Sequence, residues 1–77
     1  MDKKQRRVVL AEVLAKFRVA EGLSQAEVAE ALGKPQSFVS KYEAAQRRLD
    51  FQELEDIAAA MNVPLEQVFK TYLGLVE

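Results

Sequence analysis

Between Gly22 and Ala45 the chain reads as two helices of only about ten residues each, split by Leu32-Gly33-Lys34-Pro35. Glycine ends a helix by entering the left-handed region, and proline is tolerated only in a helix's first turn. A glycine-containing turn of this length sets two helices near a right angle, so the second protrudes from the fold. A protruding helix of that length fits the major groove of duplex DNA, its first-turn side chains at the base edges and the preceding helix over the backbone.

The flanking sequence supplies the support. From Arg7 to Glu21 the apolar residues Val9, Leu10, Val13, Leu14 and Phe17 recur at three and four positions, the helical period, and Gly22 stops that helix. Ser24 and Glu27 form a capping box at the start of the second helix, whose inward residues are Val28, Ala29 and Leu32. The third helix is expected from Lys34-Pro35 to about Ala45, with Val39 and Tyr42 inward and Phe38 at the edge. Asp50 and Glu53 make a second capping box, opening a helix with Leu54, Ile57, Ala58 and Met61 on one face. Val63-Pro64-Leu65-Glu66 opens a fifth helix carrying Leu65, Val68, Phe69, Tyr72 and Leu73. No strand alternation and no repeat is present. The expectation is an all-α, compact five-helix bundle, one domain over residues 1–77 with its core at about 8–73 and a basic tail at 1–7.

Composition excludes whole classes of chemistry. With no cysteine and no histidine, the chain has no disulfide, no thiolate, none of the usual transition-metal ligands and no imidazole for proton transfer. No nucleophile-base pair, metal cluster or phosphate loop is visible, so neither an enzyme nor a cofactor or metal site is expected. Glu12, Lys16 and Arg18 interrupt the apolar stretch behind the basic N-terminus, which fits neither a secretory segment nor a membrane span. A cytoplasmic protein, held at the nucleoid through DNA, is the default, and no small-molecule effector is evident.

The net charge of −1 argues against DNA until its distribution is seen. Residues 1–20 carry +4 and residues 34–49 carry +3, whereas 21–33 carry −3 and 50–77 carry −5. If folding brings the basic segments to one face, that face can meet phosphate while the acidic end points away.

The run Leu23-Ser24-Gln25-Ala26-Glu27-Val28-Ala29-Glu30-Ala31-Leu32-Gly33, followed by Ser37-Phe38-Val39-Ser40-Lys41-Tyr42-Glu43, resembles the Cro/phage-repressor type of helix-turn-helix, the XRE family. The resemblance extends from about Leu14 to Phe69. It implies a lambda-repressor-like, five-helix DNA-binding domain acting as a homodimer on a palindromic operator, as a transcription regulator and most simply a repressor. By matching positions, Gln36, Ser37, Ser40 and Lys41 would read bases. Ser24, Gln25, Lys34, Gln46, Arg47 and Arg48 would meet the backbone, with Gln25 also bracing the first reading residue. Glutamine suits adenine, lysine suits guanine and serine serves either, so the chemistry agrees. Arg18 and Glu43 occupy positions that pair across the first and third helices. The chain departs from the family pattern at Ala44-Ala45, where glycine is usual, at Leu49, where proline is usual, and at Pro35, where serine is usual.

Competing readings attach to several residues. Aromatic residues at helical spacing, Phe38, Phe51, Phe69, Tyr42 and Tyr72, are core before they are base-stacking platforms, although Phe38 could touch a thymine methyl. Lys3, Lys4, Arg6 and Arg7 read as a solvated tail with a possible minor phosphate role. Asp50, Glu53, Glu55 and Asp56 read as a helix start and a solubility surface. Phe69, Tyr72, Leu73 and Val76, with Leu75, exceed what so small a core needs and are the candidate dimer interface. The same surplus allows a different class of function, an antitoxin or interaction module docking a partner protein through the last helix.

Overall fold

Five helices are started and stopped by local chemistry that repeats along the chain. In the computed structural model, which describes Met1–Glu77, they are α1 (Lys3–Ala20), α2 (Gln25–Leu32), α3 (Gln36–Glu43), α4 (Phe51–Ala60) and α5 (Leu65–Val76). Capping boxes open α1, α2 and α4: the side chains of Asp2, Ser24 and Asp50 accept from the amides of Gln5, Glu27 and Glu53, whose own side chains accept from the cap amides in return. Helices α3 and α5 start instead after Pro35 and Pro64, extended residues with φ near −65° that need no side-chain cap.

The helix ends share one device. Gly22, Gly33, Ala45 and Asn62 have φ of 72°, 67°, 59° and 59°, the left-handed region. In each case the following residue, Leu23, Lys34, Gln46 or Val63, donates its amide five residues back at 2.9–3.1 Å, satisfying a carbonyl that the helix end would orphan. Ala45 pays the Cβ penalty that glycine would avoid, as the departure at Ala44-Ala45 foreshadows.

Three sequence expectations are corrected. Lys3–Arg7 are the first turns of α1 and not a tail, because Asp2 and Gln5 form a capping box. Helix α3 is shorter than expected, Pro35 lying before it as the cap and Ala44-Ala45 forming its exit. Phe51 is 56% exposed and is not core, since the N-terminal turn of α4 lies at the edge of the bundle; it rests against Phe69 at 5.8 Å between ring centroids.

One cluster joins every helix: Val13 and Leu14 of α1, Val28 and Ala29 of α2, Val39 and Tyr42 of α3, Ile57 and Ala58 of α4, Met61 and Val63 beyond it, and Val68 of α5. Full burial of an aliphatic side chain contributes about 1.5–3 kcal/mol. Helix α2 packs on α3 and α4, α1 packs on α3 and α5, and α4 packs on α5. Clamped by α1 and α2 through Val39 and Tyr42, α3 has its opposite side free.

Candidate nucleic-acid interface

The free side of α3 follows from its period. Val39 and Tyr42 turn inward, so Gln36, Ser37 and Lys41 are exposed, Ser40 and Phe38 being half-buried. Pro35, Ser37, Phe38, Lys41, Gln46 and Arg47 line a shallow recess of about 420 Å³, so the start of α3 and the loop after it form one surface. The Phe38 ring is edge-on to Tyr42, with centroids 5.6 Å apart, and is flanked by two cations: the Lys34 ammonium lies 5.6 Å and the Arg47 guanidinium 4.7 Å from its centroid.

A polar network behind α3 sets its position. Arg18 Nε and Nη2 donate to the Glu43 carboxylate at 2.7 and 3.0 Å, and Arg18 Nη1 donates to the Leu23 carbonyl at 2.8 Å. Gln25 Nε2 donates to Glu43 Oε1 at 3.0 Å, so one carboxylate at the end of α3 ties down α1 and the start of α2. Arg18 is held more firmly protonated than a free guanidinium, first by its hydrogen bond to Glu43. Gln25 thus braces Glu43 rather than Gln36. Position alone showed which residue matched a pattern, while the facing side chain emerges only in three dimensions.

Other polar residues are partly engaged. The Ser24 hydroxyl accepts from the Glu27 amide at 3.0 Å, and Glu27 is held below the ordinary carboxylate range by its bonds to Ser24, first the one from the Ser24 amide. Ser40 Oγ donates to the Ser37 carbonyl at 3.2 Å. Gln36, Ser37, Lys41, Gln46 and Arg48 are exposed and make no side-chain hydrogen bond within the chain.

Arg47 carries the largest surprise. Its guanidinium donates to Glu53 at 3.1 Å (Nη1) and pairs with it at 2.9 Å (Nη2), while Nη1 also donates to the Arg48 carbonyl at 2.7 Å. Glu53 therefore does more than open α4: it reaches into the basic surface, and its carboxyl is held below the usual range first by Arg47 and then by the Asp50 amide. The separation of acidic and basic ends expected from segment charges fails here. A usable signal existed, because the third residue of a capping box turns its side chain back toward the preceding loop, where Arg47 lies.

The remaining sequence-selected residues lie elsewhere. On α5, Leu73 is 47% exposed and Leu75 is exposed too, whereas Phe69, Tyr72 and Val76 are half-buried. No group of acidic side chains is arranged to hold a metal ion, and no helix is long and apolar enough to cross a membrane.

The helix-turn-helix family profile matches residues 14–68, the span that contains α2, its glycine turn and α3. An XRE-family like protein from Pseudomonas syringae pv. tomato is 36% identical, with a TM-score of 0.85 over 95% of this chain and 89% of that one. The chain belongs to the XRE-type helix-turn-helix family. This helix-turn-helix protein is thereby a DNA-binding regulator of transcription, of a family and fold that are not those of enzymes. It also superposes on the restriction-modification controller protein C.AhdI from Aeromonas hydrophila at a TM-score of 0.82 and 28% identity, over 90% of this chain and all of that one. The clp gene regulator ClgR from C. glutamicum shares the fold at a TM-score of 0.85 and 22% identity, each chain covered to 94%. No curated protein matches the chain.

Proposed function

We propose that this helix-turn-helix protein is a repressor that binds a palindromic operator as a homodimer, reading bases with Gln36, Ser37, Ser40 and Lys41. The observation that carries the reading is the exposed, uncommitted set of Gln36, Ser37 and Lys41 on the free side of α3, beside Lys34, Gln46 and Arg48. The Gln36 amide offers a donor and an acceptor that suit an adenine edge, and the Lys41 ammonium offers donors that suit guanine O6 and N7. Ser24, Gln25, Lys34, Gln46 and Arg48 take the backbone role, which fixes register without reading sequence, and Arg47 borders the same surface with its charge paired to Glu53. One short helix reads too few base pairs to discriminate, so two copies must read half-sites about one helical turn, roughly 34 Å, apart. The exposed Leu73, with the half-buried Phe69, Tyr72 and Val76, supports α5 as the dimer surface. Such a protein acts in the cytoplasm, at the nucleoid.

Selection of bound duplexes from a random pool tests this. A palindrome with half-sites one turn apart is the expected result; an asymmetric site or no enriched sequence counts against it. The exposed apolar end of α5 also supports a second reading, a module that docks another protein. Sedimentation of the isolated chain separates the two, since a strict monomer favours docking.

A further inference from the structure

Arg47 lies on the recess beside Lys41 and Gln46, yet it is held away from a purely cationic role. Its guanidinium stacks 4.7 Å from the Phe38 centroid, pairs with both oxygens of Glu53 and donates to the Arg48 carbonyl. Of five donors, the two on Nη1 are hydrogen-bonded, and Nη2 lies 2.9 Å from Glu53 Oε2 as the second leg of the ion pair. The side chain stays 40% exposed, so phosphate can reach it, but only against a carboxylate that already neutralises it. A phosphate approaching Arg47 meets an ion pair and not a free charge.

Glu53 is itself locked in place. Its Oε1 accepts from the Asp50 amide at 2.9 Å while its own amide donates to Asp50 Oδ1 at 2.7 Å, so the capping box that starts α4 aims the carboxylate at the loop after α3. The same side chain thus serves helix initiation and restraint of Arg47, and the two roles are separable, because glutamine also closes a capping box but carries no charge.

We propose that Glu53 is a positioning residue that restrains Arg47 and thereby lowers the protein's affinity for DNA of arbitrary sequence, leaving discrimination to the α3 side chains. The inference rests on the DNA-binding reading above. Sequence-independent binding is set by the phosphates a protein neutralises, each worth about one unit of slope in log K against log salt. An arginine released from its carboxylate adds such a contact, while the base-reading groups are untouched.

The test is fluorescence anisotropy of a random-sequence duplex with full-length wild type, Glu53→Gln, Arg47→Ala and the double variant, between about 50 and about 200 mM salt. Glu53→Gln is expected to bind about three- to tenfold more tightly at the low-salt end, with a slope steeper by about one unit, and to melt close to wild type. In the Arg47→Ala background the same substitution should change neither affinity nor slope. Unchanged or weaker binding by Glu53→Gln overturns the proposal, as does a gain that persists without Arg47, which would reflect removal of a negative charge in general. If neither wild type nor Glu53→Gln binds any duplex at low salt, the DNA-binding reading fails as well. Should Glu53→Gln fold too weakly to assay, Glu53→Asp, whose shorter side chain withdraws the carboxylate from Arg47, is measured in its place and is expected to steepen the slope in the same way.

Discussion

Arg18 and Glu43, 25 residues apart in the chain, form a two-bond ion pair at 2.7 and 3.0 Å with side chains only 15% and 7% exposed. The pair joins the end of α1 to the end of α3, and Gln25 adds a third bond to the same carboxylate. Its role is positional more than energetic, because desolvating both ions offsets most of their attraction. Glu43→Ala leaves Arg18 and the Gln25 amide without their partner and is expected to destabilise the fold by about 2–3 kcal/mol in urea unfolding. Arg18→Met combined with Glu43→Leu should recover most of that loss. A single variant as stable as wild type contradicts this account.

Ala45 sits at φ 59° where Gly33 sits at 67°, in the same hydrogen-bonded helix exit. Ala45→Gly is expected to raise stability by about 0.5–1 kcal/mol, and Gly33→Ala to lower it by a similar amount. A Cβ at Gly33 meets no atom within 4 Å, so backbone conformation alone sets the penalty there. Thermal melts of the two variants should move in opposite directions.

Tyr42 is buried, and its hydroxyl has no hydrogen-bond partner. An unpaired buried hydroxyl is destabilising, so Tyr42→Phe is expected to be neutral or stabilising by about 1 kcal/mol. Burial also pushes the phenol well above its ordinary value of 10, keeping it neutral in the fold. A group whose folded pKa is raised contributes stability below the unfolded pKa and loses it as pH rises further. Wild type should therefore weaken above pH 10, and Tyr42→Phe should remove that part of the alkaline decline; superimposable pH profiles argue otherwise.

Lys41 is exposed on the free side of α3 and makes no internal hydrogen bond or ion pair. Replacing it by alanine is expected to lose about 1–3 kcal/mol on the preferred operator and to relax selection at one position per half-site. Binding to random duplex should fall by much less. Equal losses on both kinds of DNA would place Lys41 on the backbone instead.

Leu73 on α5 is exposed, beyond the half-buried Phe69 and Tyr72. Leu73→Asp adds a charge without removing a core contact, so the monomer should fold as before. Dimerisation and operator binding are expected to weaken together, measured by sedimentation and gel shift. A variant that remains dimeric moves the interface elsewhere.

Much of this protein is local and could be read residue by residue. The capping boxes at Ser24 and Asp50, the glycine exits at Gly22 and Gly33 and the inward periods of Val28, Ala29, Val39, Tyr42, Ile57 and Met61 act over about five residues or fewer. The same local logic operates at Asp2 and Gln5, although the basic residues beside them suggest a tail. Tertiary structure alone decided which charges meet. Gln25 lies 18 residues from Glu43, and the choice of partner depends on where α2 crosses α3. Glu53 lies only six residues from Arg47, but their contact goes with a loop after α3 that brings the Arg47 guanidinium over the Phe38 ring. Backbone torsions and burial patterns are written in neighbouring residues, whereas an ion pair depends on a few ångströms between side chains brought together by packing. The sequence alone therefore determined that α3 protrudes and which of its residues face outward, and the fold decided that Arg47 stands among them with its charge already answered by Glu53.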